Sequence, residues 1–237
     1  VNKNNKHKIY IIIPAFNEGK VISSVLNSLK KNNFRDVIII DDGSTDDTYE
    51  IAKRSGFVVL RHLINRGKGA ATQTGLDAAR LLGADVAVTM DADEQHSADD
   101  LNAMITPITQ NKADVTLGSR FIIRNPIPKS KILVNKIANL VTFAFYGIYV
   151  TDSQSGFRGY SKKAINLIQT DMDRYEFESQ VLHQIKHYHL KYVEVPISVQ
   201  YNKYSKEKYK DIKDFQPQNF KNGIKMLIKM VIRSILS

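Results

Sequence analysis

The chain is predicted to be an α/β protein: a mostly parallel sheet flanked by helices, followed by a basic amphipathic helical extension. Three observations lead there. Apolar runs with strand character alternate with runs of helical periodicity, the pattern of successive βαβ units. Every polar cluster singled out below falls where a strand-like run ends, which is where open α/β sheets bind ligands. A length of 237 residues with 43% hydrophobic content, 12 Gly and 6 Pro suits one substantial core.

The elements follow in order. Residues 8–13 read as a strand, and 20–31 as a helix with Val21, Ile22, Val25, Leu26 and Leu29 on one face. Strands are then expected at 37–40, 58–61, 84–90 and 113–117, separated by helices at 46–54, 69–82 and 99–110. The apolar stretch 132–150 is interrupted by Asn135, Lys136, Asn139 and Thr142, so it reads as an amphipathic helix used for core packing, with lipid contact as the alternative. Residues 1–205 form the expected α/β domain and 206–237 the extension.

Each strand end carries its own chemistry. Pro14 would stop the first ladder, with Asn17 or Glu18 capping the next helix. After the second strand, Asp41-Asp42-Gly43-Ser44-Thr45-Asp46 supplies a tight turn and a cap at Ser44 or Thr45. That leaves Asp42 to accept hydrogen bonds from a base or ribose. Asn65-Arg66-Gly67-Lys68-Gly69 opens a helix with backbone amides and two cations, suited to a diphosphate but without P-loop spacing. Met90-Asp91-Ala92-Asp93-Glu94-Gln95-His96 places two carboxylates and an amide at a strand end, the hard oxygen donors that a divalent cation takes.

Together, Ile-Pro-Ala-Phe-Asn-Glu, Asp-Asp-Gly-Ser-Thr-Asp, Asn-Arg-Gly-Lys-Gly, Asp-Ala-Asp-Glu-Gln-His and Gly-Ser-Arg resemble, in this order, the family 2 glycosyltransferases of GT-A fold. Gln95-His96 and Asp152-Ser153-Gln154-Ser155-Gly156-Phe157-Arg158 are similar to the dolichyl-phosphate mannose synthase group of polyprenyl-phosphate glycosyltransferases. The resemblance implies that Pro14, Phe16, Glu18, Ile40 and Asp42 line a nucleoside pocket, with Ala92 beside it. Arg66 and Arg120 would face the diphosphate, and Asp91, Asp93 and Gln95 would hold Mg²⁺ or Mn²⁺. A nucleotide sugar (UDP- or GDP-linked) is then the donor and a polyprenyl or dolichyl phosphate the acceptor.

On the acceptor side, Ser155 and Arg158 combine a hydroxyl, a permissive Gly156 and a guanidinium, a set suited to a lipid phosphate. Such a phosphate is anionic near neutral pH, its second pKa being about 6, and needs orientation more than a strong base. A hydroxyl acceptor would need a base, for which Asp152 and Glu178 are the candidates. Two departures from the mannose synthases stand out: Glu178, where a basic residue is common, and Lys203 and Lys206 in place of an Arg-rich loop. The lysines could contact phosphate as point charges.

The formal net charge of +10 gathers partly in the tail, where Lys221, Lys225, Lys229 and Arg233 recur every four residues beside an apolar face. That pattern suits either an anionic membrane interface or a helix packed on the domain. The N-terminal run shows no secretory leader and no stretch is long and apolar enough to span, so the expected location is peripheral, at the cytoplasmic face of a membrane. With no Cys, disulfides and Cys-based zinc sites are excluded. Nucleic acid is not an expected partner, because acidic residues gather at the strand ends and would repel it. The rivals are a family 2 enzyme acting on a saccharide or protein hydroxyl, and a non-catalytic basic protein binding lipid head groups or RNA.

Overall fold

The structure is a computed structural model, and it describes residues 7–123, 125–127, 129–170 and 176–199. Lys203, Lys206 and the extension at 206–237 lie outside them. Strands β1 (Ile9–Ala15), β2 (Val37–Asp41), β3 (Val58–Arg61), β4 (Val86–Thr89), β5 (Val115–Ser119), β6 (Arg158–Ser161) and β7 (Tyr192–Pro196) form one seven-stranded sheet in the order β3-β2-β1-β4-β6-β5-β7. Only β6 runs antiparallel to its neighbours, β4 and β5. The helices are α1 (Ile22–Lys31), α2 (Thr48–Arg54), α3 (Lys68–Leu81), α4 (Leu101–Thr109), α5 (Lys129–Tyr146), α6 (Lys162–Leu167) and α7 (Glu176–His187), with a 3-10 turn at Ala98–Asp100.

The central strands are apolar on both faces, as strands covered twice must be. Ile11, Ile13 and Ile39 point into the layer of α1, α2 and α4, whereas Ile12, Ile38 and Ile40 point into the layer of α3, α6 and α7. Helix α3 lies close on β1, because a Cβ at Gly75 would stand 2.2 Å from Ile12 Cγ2 and 2.8 Å from Ile40 Cδ1. Ile40 is therefore completely buried beneath α3. This corrects its expected place in a nucleoside pocket, since only its backbone reaches the strand end.

Local expectations are corrected at three further points. Pro14 does not stop the ladder to β2, where Pro14 pairs with Ile40 and Ala15 with Asp41. It sits just beyond the last β4 pair, Ile12 with Thr89, so its missing N–H falls outside that ladder. The N-cap of α1 is Val21, with Val21 N and Ile22 N donating to Glu18 O at 2.9 Å, while Asn17 Oδ1 accepts from Thr45 N at 2.9 Å, tying two strand-end loops together. At α2, Asp46 rather than Ser44 or Thr45 accepts from Thr48 N at 3.0 Å.

Helix α5 departs most from expectation. It turns Asn135 and Thr142 inward, both buried, and leaves Leu133, Leu140 and Phe143 at 50% exposure or more. The inward side of α5 is tied by hydrogen bonds: Asn135 and Asn139 each donate to Thr151 O at 2.8 Å, and Asn139 Oδ1 accepts from Ser153 N at 2.9 Å. Core packing is thus not the principal use of its apolar residues.

Candidate active site

At the carboxyl end of the sheet, β4 delivers Asp91, α3 begins at Lys68, the segment before β6 brings Gly156 and α7 brings Glu178. Lys68 Nζ lies 2.7 Å from Asp91 Oδ1 and 3.5 Å from Glu178 Oε1. A lysine in the first turn of a helix opposes the helix dipole. Here two carboxylates outweigh that cost. Burial lowers the Lys68 pKa, yet Asp91 and then Glu178 raise it above its ordinary value. Burial likewise pushes Asp91 up, but Lys68 beside it, followed by weaker positive neighbours, brings the carboxyl down to about 2.

Gly156 makes this convergence possible. A Cβ there would stand 2.6 Å from Lys68 Nζ and 3.2 Å from Asp91 Oδ1. The glycine is fixed in place by Thr89 Oγ1, which donates to Gly156 O at 2.7 Å. A glycine assigned by sequence to a permissive turn thus serves close approach.

Asp93 sits in a tight loop in which Glu94 adopts φ 62°, a left-handed conformation uncommon for a residue with a Cβ. Gln95 N donates to Asp93 Oδ1 at 3.1 Å and Gln95 Nε2 to Asp93 Oδ2 at 2.7 Å. Gln95 therefore orients a carboxylate through its amide nitrogen. His96 packs on Phe157 with ring centroids 5.0 Å apart and bridges to Val199, anchoring the loop. Burial lowers the His96 pKa against the pull of Asp91 and Asp93.

Just past β2, Asp42 is buried and accepts from Arg66 N at 3.0 Å and Gly67 N at 2.7 Å. His62 Nδ1 lies 2.7 Å from Asp42 Oδ1, and its Nε2 lies 3.0 Å from Thr74 Oγ1. Asp42 thus shapes the loop that opens α3, an organising role for which the sequence of His62 gave no signal. Arg66 is exposed beside it. Phe16 is 40% exposed, while Glu18 is buried and its N–H donates to Thr48 Oγ1 at 2.7 Å. Pro14 and Ala92 are buried.

The acceptor-side assignments change more. Arg120 Nε and Nη2 donate to Asp152 Oδ2 and Oδ1 at 2.6 and 2.7 Å, and Arg120 N adds a third bond at 3.1 Å. Both Asp152 oxygens are engaged by Arg120, so a role for Asp152 as base would require this pair to open. Arg158 is 1% exposed and donates to three backbone carbonyls, Ser155 O at 3.0 Å, Glu178 O at 2.8 Å and Ser153 O at 3.1 Å. It cannot meet a ligand phosphate; it binds the segment before β6 to α7. Ser155 is also buried, with Phe157 N donating to its Oγ at 3.4 Å.

The site suits a divalent cation in its donor set. Asp91 keeps its charge and Asp93 is held in orientation by Gln95, two hard oxygen donors following one strand. Among the described residues no group of three His, Cys, Asp or Glu converges tightly enough to hold a metal alone. A cation here would need oxygens from a bound substrate, the usual state of Mg²⁺ at a phosphate site.

Comparison with known proteins fits this geometry. Residues 10–168 match the family model described as Glycosyl transferase family 2. The chain is 42% identical over 221 residues to UDP-N-acetylglucosamine–dolichyl-phosphate N-acetylglucosaminyltransferase of Methanococcus voltae, covering 83% of this chain and 87% of the relative. It is 27% identical to polyprenol monophosphomannose synthase of Mycolicibacterium smegmatis, covering 79% and 76%. Glucosyl-3-phosphoglycerate synthase from Mycobacterium tuberculosis, crystallised with Mn²⁺, UDP and phosphoglyceric acid, superposes with TM-score 0.71 at 20% identity, covering 98% of this chain and 78% of that one, and so shares the fold. With strand order, strand-end carboxylates and sequence in agreement, the chain belongs to glycosyltransferase family 2, on a GT-A scaffold.

Proposed function

We propose that this enzyme moves a sugar from a UDP-linked donor to a polyprenyl or dolichyl phosphate, with inversion at the anomeric carbon, at a membrane surface. The observation that carries the acceptor reading is the state of the two candidate bases. Asp152 is locked to Arg120, and Glu178 faces the Lys68 ammonium. An acceptor hydroxyl needs a base to take its proton. A phosphate monoester oxygen is already anionic and attacks without one. The donor reading is supported by the relative from Methanococcus voltae, whose name specifies a UDP-sugar and a dolichyl phosphate. GDP-linked sugars are the second choice.

In this reading Asp42 organises the loop opening α3, and the amides at that helix start, with Arg66, face the diphosphate. Asp91 and Asp93 would hold Mg²⁺ or Mn²⁺, which when bound supplies Lewis-acid stabilisation of the leaving diphosphate. Lys68 adds a second positive charge where the leaving group gains negative charge. Arg120, held by Asp152, fixes the wall on the acceptor side. Lys203 and Lys206 remain proposed phosphate contacts.

The test is acceptor competition: UDP-sugars offered with a short polyprenyl phosphate, the corresponding polyprenol and a saccharide. The proposal expects product on the phosphate alone, with no rising limb in kcat attributable to a carboxylate base. Transfer to the saccharide with such a limb would favour the hydroxyl-acceptor reading instead.

A further inference from the structure

We propose that the outward face of α5 lies against an anionic lipid bilayer and seats the acceptor side of the site at the membrane surface. The inference rests on the lipid-phosphate reading above, yet vesicle binding is read without any sugar transfer, so the two fail separately. Scattered exposed apolar residues are ordinary, but a continuous stripe is not. Leu133, Ile137 and Leu140 follow one helical row at 62, 41 and 68% exposure, with Val134 and Phe143 on its flanks at 51 and 50%. The helix spends its polar side inward on Asn135, Asn139 and Thr142, an inversion that costs nothing only if the outward side also leaves water.

Charge selects the occupant. Lys136 on α5 is exposed, and the sequence between Arg120 and Asp152 contains no Asp or Glu. A second copy packed on the same face would bring like charges together. The segment 206–237 carries Lys221, Lys225, Lys229 and Arg233, and would be repelled in the same way. An anionic bilayer complements both the apolar stripe and the positive charge. No described helix is long and apolar enough to cross a membrane, so α5 would lie in the interface plane.

The face is also coupled to the site. Asn135 and Asn139 hold Thr151, and Asn139 holds Ser153, on either side of the Asp152 that fixes Arg120. A bilayer resting on α5 is therefore one helix diameter from the acceptor wall, about 10 Å.

The experiment is flotation of the full chain with phosphatidylcholine vesicles, with and without phosphatidylglycerol, for wild type and for Leu133→Glu and Leu140→Glu. Both positions are exposed, so folding should survive, which thermal melting checks. Wild type is expected to float with the anionic vesicles and to be released by salt. Each variant should partition about tenfold less or weaker still, as loss of one buried leucine implies, while UDP binding is retained. Lys136→Gln should weaken binding only to the anionic vesicles. Variants that float like wild type, as they would if the C-terminal segment alone carried the contact, overturn the proposal. So does a dimeric wild type that Leu140→Glu makes monomeric without changing flotation. Vesicle binding that depends on α5, in a protein making no lipid-linked product, would uphold the docking face and reject the acceptor reading.

Discussion

Lys68 Nζ stands 2.7 Å from Asp91 Oδ1 and 3.5 Å from Glu178 Oε1, so a single ammonium joins the start of α3, the end of β4 and helix α7. Lys68→Met would leave two carboxylates facing each other and remove a positive charge from the leaving-group side. We expect kcat to fall by about 10²–10³-fold, the usual effect of deleting one preorganised electrostatic group. Steady-state kinetics and a circular dichroism spectrum together would show whether activity is lost with the fold intact.

Gly156→Ala tests the same junction sterically. The new Cβ would sit 2.6 Å from Lys68 Nζ, the far end of a flexible side chain that can swing away. The fold should therefore persist while Lys68 leaves Asp91. The expected outcome is a thermal midpoint near wild type with a kcat loss approaching that of Lys68→Met; unchanged kcat would mean that the ammonium position is irrelevant.

Arg158→Met is expected to act on stability. It leaves the carbonyls of Ser153, Ser155 and Glu178 without their donor in a buried setting. The cost should be about 2–4 kcal/mol, or a fall of roughly 5–15 °C in the melting midpoint. A variant that melts like wild type but shows a raised acceptor KM would restore the ligand role first expected of this arginine.

Much of the α/β core was legible in the sequence, and the reasons are local. Strands β1 to β4 carry near-continuous apolar runs bounded by turn residues, and their helices show a 3.6-residue period. The three-residue pairing of β5 with the antiparallel β6 was not legible, because four residues, Arg158–Ser161, carry no readable period. The partners of Arg158 and Asp152 were not legible, for one shared reason. Whether an arginine meets a ligand or three carbonyls depends on segments remote in sequence, and spacing does not record them. In α5 the amphipathic period was readable, but not which face turns inward, since Asn135 and Asn139 are drawn in by the backbone at Thr151 and Ser153.

Acid stability should report on Asp91. Its folded pKa of about 2 lies below the ordinary 3.8, so its ionic contribution is complete above about pH 4 and is lost as pH falls toward 2. Melting curves between pH 5 and 2 should fall more steeply for wild type than for Asp91→Asn. Parallel curves would mean that the Lys68 pairing contributes nothing to the fold.

Breaking the Arg120 pair should be costly in its own way. Asp152 has no exposed side-chain surface and Arg120 only 19%. Asp152→Ala strands a largely buried guanidinium and is expected to destabilise by about 3–5 kcal/mol. Denaturant unfolding would measure this, and a loss of activity without loss of stability would instead point to a catalytic carboxylate.

The most direct test of metal-assisted transfer to a lipid phosphate is formation of labelled lipid product from UDP-sugars and a short polyprenyl phosphate. Mg²⁺, Mn²⁺ or chelator would be present, for wild type and Asp93→Ala. The account expects product with wild type that chelator abolishes and metal restores, and none with Asp93→Ala in a folded protein. Product that persists in chelator and in Asp93→Ala, or that forms only on a saccharide hydroxyl, would contradict it.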